Sequence, residues 1–162
     1  MGKAMHKANF IAYVLVLGCL LVLVVSLGAA QTEKVKTAMA ALQAETAKLG
    51  VPKIQGSDLY FGKTKVSAEM VEAVVKKYGG AVTLFAKSGG QYVRAATTLK
   101  TEDGKSAVGT GLDAKSPAAA KLDSGAAYYG DATIFGKTYD TGYEPIKDAS
   151  GVIGAYFVGY PK

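Results

Sequence analysis

Two hydrophobic patterns divide the chain. From Phe10 to Ala30, FIAYVLVLGCLLVLVVSLGAA runs for 21 residues without a charge, enough at about 1.5 Å of rise per residue to cross a hydrocarbon core about 30 Å thick. Beyond it the pattern turns periodic. Val35, Ala38, Met39, Leu42, Thr46 and Leu49 recur at helical spacing until Gly50 and Pro52 stop the run. A shorter helix is expected from Ser67, with Met70, Val71, Val74, Val75 and Tyr78 on one side, Glu69 near its positive end and Lys76-Lys77 before the Gly79-Gly80 stop. After Gly80 the runs AVTLFAK, QYVRAATTL, ATIFGKTY, TGYEPIKD and VIGAYFVGY are β-branched or aromatic, and SGG, EDGK and DASG between them suit tight turns. SPAAAKLDSG is the exception, a short helix capped by Ser116 with Pro117 at its first position. This order predicts an α+β fold in three segments: a hydrophobic helix over 1–30, a stalk helix over 31–50, and a domain over 51–162 built on an antiparallel sheet.

The apolar run is expected to stay on the mature protein as a membrane anchor or an assembly helix. A cleaved secretory signal is the competing reading, since Lys3 and Lys7 precede the run and Gly28-Ala29-Ala30 resembles a cleavage site, but such signals carry apolar cores of only about 7–15 residues. Lysines before the run without nearby acids place the N-terminus on the cytoplasmic side, so the remainder faces outward, periplasmic or extracellular. Cys19 is the single cysteine, which excludes an intramolecular disulfide and a cysteine-cluster metal site. The net charge of +6 is scattered rather than blocked, the pattern of a solvated surface and not of a nucleic-acid footprint.

Two nine-residue strings, GSDLYFGKT at 56–64 and GDATIFGKT at 130–138, look like phosphate-binding loops. That loop needs four residues between its glycines, followed by Lys and Ser/Thr at a helix start. Here five separate Gly56 from Gly62 and Gly130 from Gly136, and Gly142 and Pro145 break any helix after the second copy. The strings instead read as strands, DLYF and ATIF, each running into a Gly-Lys hairpin turn.

Catalytic chemistry finds little to work with. His6, the only histidine, precedes the apolar run, so the outer domain has no imidazole for a triad, a zinc site or general-base work. Glu102 and Asp103 sit in a turn, and Asp140 and Glu144 lack a partner pattern. No enzyme, metal or cofactor is expected. Arg94 is more informative, because it is the one arginine beside 18 lysines and lies within a strand, where 92, 94, 96 and 98 share one face. A planar bidentate donor suits carboxylate recognition, although a structural ion pair uses the same geometry. Lys147 is either a ligand contact or a turn lysine, and the late tyrosines are strand-formers that can also offer hydroxyls.

Over residues 56–162 the chain resembles the single Cache sensor domains, which lie outside the membrane in bacterial chemoreceptors and sensor kinases. AVTLFAKSGGQYVRAATTLKTEDGKSAVGT, YYGDATIFGKTYDTGYEPIKD and GVIGAYFVGYPK carry the resemblance. It implies a PAS-like antiparallel sheet flanked by an N-terminal helix and a helical or loop layer, with a small-molecule pocket between sheet and layer. On this reading a small carboxylate is held by Arg94, with Thr97, Tyr139 or Tyr143 as secondary donors and Lys147 nearby. Small residues along the apolar run and alanines after it would let helices approach, so a homo-oligomer is expected. A pilin-like filament subunit, with apolar helices in its core and the Cache-like head displayed outside, is the alternative from another class.

Overall fold

The computed structural model describes residues 31–162. The apolar run Phe10–Ala30, and the anchor read from it, lies outside these residues. No helix among the described residues is long and apolar enough to cross a membrane.

Helix α1 covers 31–47. Its Val35, Ala38, Met39 and Leu42 are almost fully buried, as the periodicity requires, so it packs into the domain core instead of standing apart as a stalk. Leu49, read as the end of that stripe, falls in the turn after the helix and is 38% exposed. A small sheet follows, β1 (Pro52–Gln55), β2 (Asp58–Phe61) and β3 (Thr64–Lys65), antiparallel in that order. Helix α2 (Ala68–Tyr78) then runs between Ser67 and Gly79 as its sequence pattern requires.

The main sheet has five antiparallel strands in the order β5-β4-β8-β7-β6. These are β4 (Ala81–Ser88), β5 (Gln91–Thr97), β6 (Tyr128–Ile134), β7 (Lys137–Asp148) and β8 (Gly151–Pro161). Helix α3 (Pro117–Asp123) precedes β6, and the Ser116 side chain accepts from Ala119 N at 3.2 Å to cap it. Strand β7 runs unbroken through Pro145, a residue that cannot donate to a ladder. Pro145 pairs with Ala155 on β8, while pairing with β6 ends at Tyr143, so the missing N–H meets no partner strand.

Each face of this sheet builds its own core. Val82, Leu84 and Ala86 of β4 point to one face, where they meet Val35, Met39 and Leu42 of α1, Val71 and Val74 of α2, and Leu59 and Phe61 of the small sheet. Phe85 on β4 points to the other, with Tyr92, Tyr143 and Phe157, under Leu122 of α3 and Ala107 of the loop before it. The result is a three-layer α+β domain with a PAS-like antiparallel sheet in the middle.

The repeated strings become two hairpins in different registers. In the first copy Phe61 pairs with Thr64, so Gly62-Lys63 forms the turn as expected and Phe61 stays in the core, stacked 6.2 Å from Tyr156. The second copy corrects the reading: Ile134 pairs with Lys137, so the turn is Phe135-Gly136. Both of its residues have positive φ, 48° and 74°, the type I′ geometry whose twist suits a two-residue hairpin.

Candidate functional site

Arg94 reaches its position through a β-bulge. Leu84 pairs with Ala96 but Phe85 pairs with Arg94, which leaves Ala95 as an extra residue. The bulge resets the alternation, so Arg94 and Thr97 share the face turned toward α3, where a regular strand would have put Arg94 with Ala96. The face assignment made from the sequence therefore fails beyond Arg94.

The Arg94 side chain forms the inner wall of a cavity of about 440 Å³. Tyr143 and Tyr128 line it from the sheet, Phe135 from the β6–β7 turn, and Asp113 and Ser116 from the approach to α3. Only 5% of Arg94 is exposed. Its Nη1 donates to Thr110 Oγ1 at 2.9 Å and to the Gly111 carbonyl at 2.7 Å, while the buried Nε has no partner. The Cζ atom lies over the rings of Phe85 and Phe135, at 5.0 and 5.2 Å from their centres. None of the salt bridges among the described residues involves Arg94. The structural ion pair weighed from the sequence is thus absent there. Burial pushes the guanidinium pKa down, with Tyr143 acting in the opposite sense; an arginine nevertheless stays charged at neutral pH.

Tyr143 is 1% exposed and packs against Phe157, Tyr128 and Phe85. Burial pushes its phenol pKa up, partly offset by Arg94, so at neutral pH the group is an O–H donor. The cavity therefore presents an arginine with unused donor capacity and a protonated phenol on the same wall. Its acids, Asp113 and Asp131, are exposed at the rim, where Asp131 pairs with Lys162 at 2.6 Å.

The other sequence-read candidates lie elsewhere. Thr97 shares the face of Arg94, but its hydroxyl meets that of Thr83 at 2.6 Å and accepts from Leu99 N at 3.1 Å. Tyr139 lines a neighbouring cavity of about 500 Å³, together with Thr98, Lys100, Glu102 and Lys137. Lys147 is exposed beside Gly125, at the far end of α3.

Phe85, Thr110 and Phe135 were not read as site residues. Phe135 carries no signal of its own in the sequence, because FGKT offers both a Phe-Gly and a Gly-Lys turn and the same string at 61–64 takes the other one.

Glu144 adds a feature behind the cavity wall. It projects to the opposite face from Tyr143, where its carboxylate accepts from Gln43 Nε2 of α1 at 2.6 Å and from the Tyr129 hydroxyl. Burial, and then Glu144, push the Tyr129 pKa up. Buried Asp140 lies on this helix-facing side too, and its Oδ2 has no partner.

A central antiparallel sheet with α1 and α2 on one face, and α3 beside a cavity walled by a buried arginine on the other, is a PAS-like arrangement. The chain belongs to the Cache 3/Cache 2 fusion domain family, which matches residues 24–162. Cache domains are extracytoplasmic sensor domains that bind small molecules. Among solved structures it resembles the sensor domain of the V. cholerae histidine kinase DctB, at 17% identity with a TM-score of 0.46, covering 57% of this chain and 35% of that one. This chain thus spans about a third of that chain's length. No curated protein matches it.

Proposed function

We propose that the protein is a membrane-anchored, outward-facing sensory module that binds a small carboxylate through Arg94, with the Tyr143 hydroxyl as a second donor. The observation that carries this reading is a nearly fully buried guanidinium with no carboxylate partner and a partnerless Nε, at a cavity wall. Burying a cation is costly unless it is paired, and a bound carboxylate supplies the missing counter-charge. The protonated Tyr143 hydroxyl adds a neutral donor without competing charge.

Isothermal titration of the full chain in detergent with a panel of organic and amino acids tests the proposal. A carboxylate hit should lose roughly 1.5–3 kcal/mol, about tenfold or more in affinity, in Arg94→Ala. Arg94→Lys should fall between, because an ammonium keeps the charge but not the fork. A hit bound equally well by Arg94→Ala refutes the assignment. Intact mass of protein from native membranes tests the anchor, and a chain beginning at Gln31 would make the domain a released one.

A further inference from the structure

We infer that Phe135 is the specificity-determining lid of the Arg94 chamber, rejecting carboxylates too long for the first of two adjoining cavities. Three observations meet at this residue. It holds φ at +48°, a conformation in which an aromatic side chain is strained and Asn or Gly is favoured. Strain of this kind persists where surrounding contacts enforce it, and clusters at sites of function. Its half-buried ring lies 5.2 Å from the Arg94 guanidinium carbon. Finally, both the chamber of about 440 Å³ that holds Arg94 and the one of about 500 Å³ that holds Tyr139 are bounded by Ile134 and Phe135.

Ile134 is 7% exposed and fixed in the core at the end of β6, whereas Phe135 sits on the two-residue turn. The ring is therefore the movable part of the partition. With it in place, a carboxylate seated on Arg94 has the first chamber alone. Without it, an aliphatic tail can extend toward Thr98, Lys100 and Tyr139. A Phe at this turn has a ready explanation in that role, since Asn would satisfy the backbone better and cover nothing.

This inference rests on the carboxylate reading, and its test separates the two. Arg94 is the only arginine in the chain, so phenylglyoxal adducts counted by intact mass on the full-length protein in detergent report its accessibility, with Arg94→Lys setting the background. Phe135→Asn is the variant of choice, because Asn-Gly suits the turn and the hairpin is kept. Phe135→Gly is the second, free of the positive-φ strain. Both should be modified at least fivefold faster than wild type. Straight-chain monocarboxylates of increasing length should protect Arg94 up to a short limit in wild type and to a longer one in both variants. Equal modification rates in wild type and Phe135→Asn overturn the lid. Faster modification with an unchanged length limit overturns its part in specificity. Faster modification with no protection by any carboxylate supports the lid and overturns the carboxylate reading instead.

Discussion

Removing the Glu144 carboxylate should loosen α1 from the sheet, by an amount the structure allows to be worked out. Glu144→Ala deletes the acceptor of two donors, Gln43 Nε2 and the Tyr129 hydroxyl. A hydrogen bond to a charged group contributes about 1.5–3 kcal/mol where both ends are buried. Gln43, Tyr129 and Glu144 are only half-buried, so water replaces part of each bond. Halving the two contributions leaves a loss of about 1.5–3 kcal/mol, or roughly 3–12 °C in Tm at about 2–4 °C per kcal/mol for a chain of this size. The control is Tyr156→Phe, which breaks another polar contact between α1 and the sheet, Tyr156 to Thr46 Oγ1 at 3.1 Å. The Thr46 hydroxyl keeps the Leu42 and Gln43 carbonyls, both at 3.0 Å, so nothing is orphaned. That change should cost no more than about 0.5–1 kcal/mol. Reversible thermal unfolding of the full chain by circular dichroism measures both, and a double-mutant cycle of Gln43→Ala with Glu144→Ala should give a coupling of about 1 kcal/mol. A Glu144→Ala loss no larger than that of Tyr156→Phe, or a coupling near zero, would refute the claim that this carboxylate latches the helix.

Two further outcomes follow from burial and close packing. Burial raises the Tyr143 pKa above its unfolded value of about 10, so the neutral phenol's contribution is complete below pH 10 and is lost as pH rises beyond it, by at most about 1.4 kcal/mol per pH unit; Tyr143→Phe should flatten the alkaline limb of a Tm-against-pH curve, and an unchanged limb would count against the buried phenol. A Cβ on Gly154 would lie 2.3 Å from the Phe85 carbonyl oxygen, a backbone atom, whereas one on Gly89 meets nothing within 4 Å; Gly154→Ala should therefore cost about 1–3 kcal/mol or more by overpacking, Gly89→Ala only about 1–2 kcal/mol for its positive φ, and thermal melts showing the reverse order would reject the packing argument.

The sequence made the elements legible where one face is apolar and the other wet. Helix α1 has Val35, Ala38, Met39 and Leu42 inside and a lysine- and alanine-rich remainder outside; α2 carries its own start and stop residues, Ser67 and Gly79, and α3 its start residues, Ser116 and Pro117. The strands were visible as runs, but pairing and facing were not. The first six residues of β4, Ala81 to Ala86, are all buried, because the sheet has a core on each side, so no alternation marks which residues look toward the Arg94 cavity. The bulge at Ala95 is equally silent in a run such as VRAATT, where small residues fit either face, yet it decides which neighbours Arg94 has.

Turn register failed for a related reason. FGKT offers two two-residue turns, Phe-Gly or Gly-Lys, and each contains a glycine able to take positive φ. What separates them is tertiary. Phe61 has a core site against Tyr156, so its hairpin turns one residue later and keeps the ring inside. Phe135 follows Ile134, which already fills the core position at the end of β6, and its ring lies over Arg94 instead. The same four residues thus give a core anchor in one hairpin and a strained cover over a buried cation in the other. Arg94 itself was legible because an isolated arginine among lysines is a compositional anomaly, whereas the residues that give it a chamber are ordinary aromatics and threonines whose significance arises only from where the bulge and the turn place them.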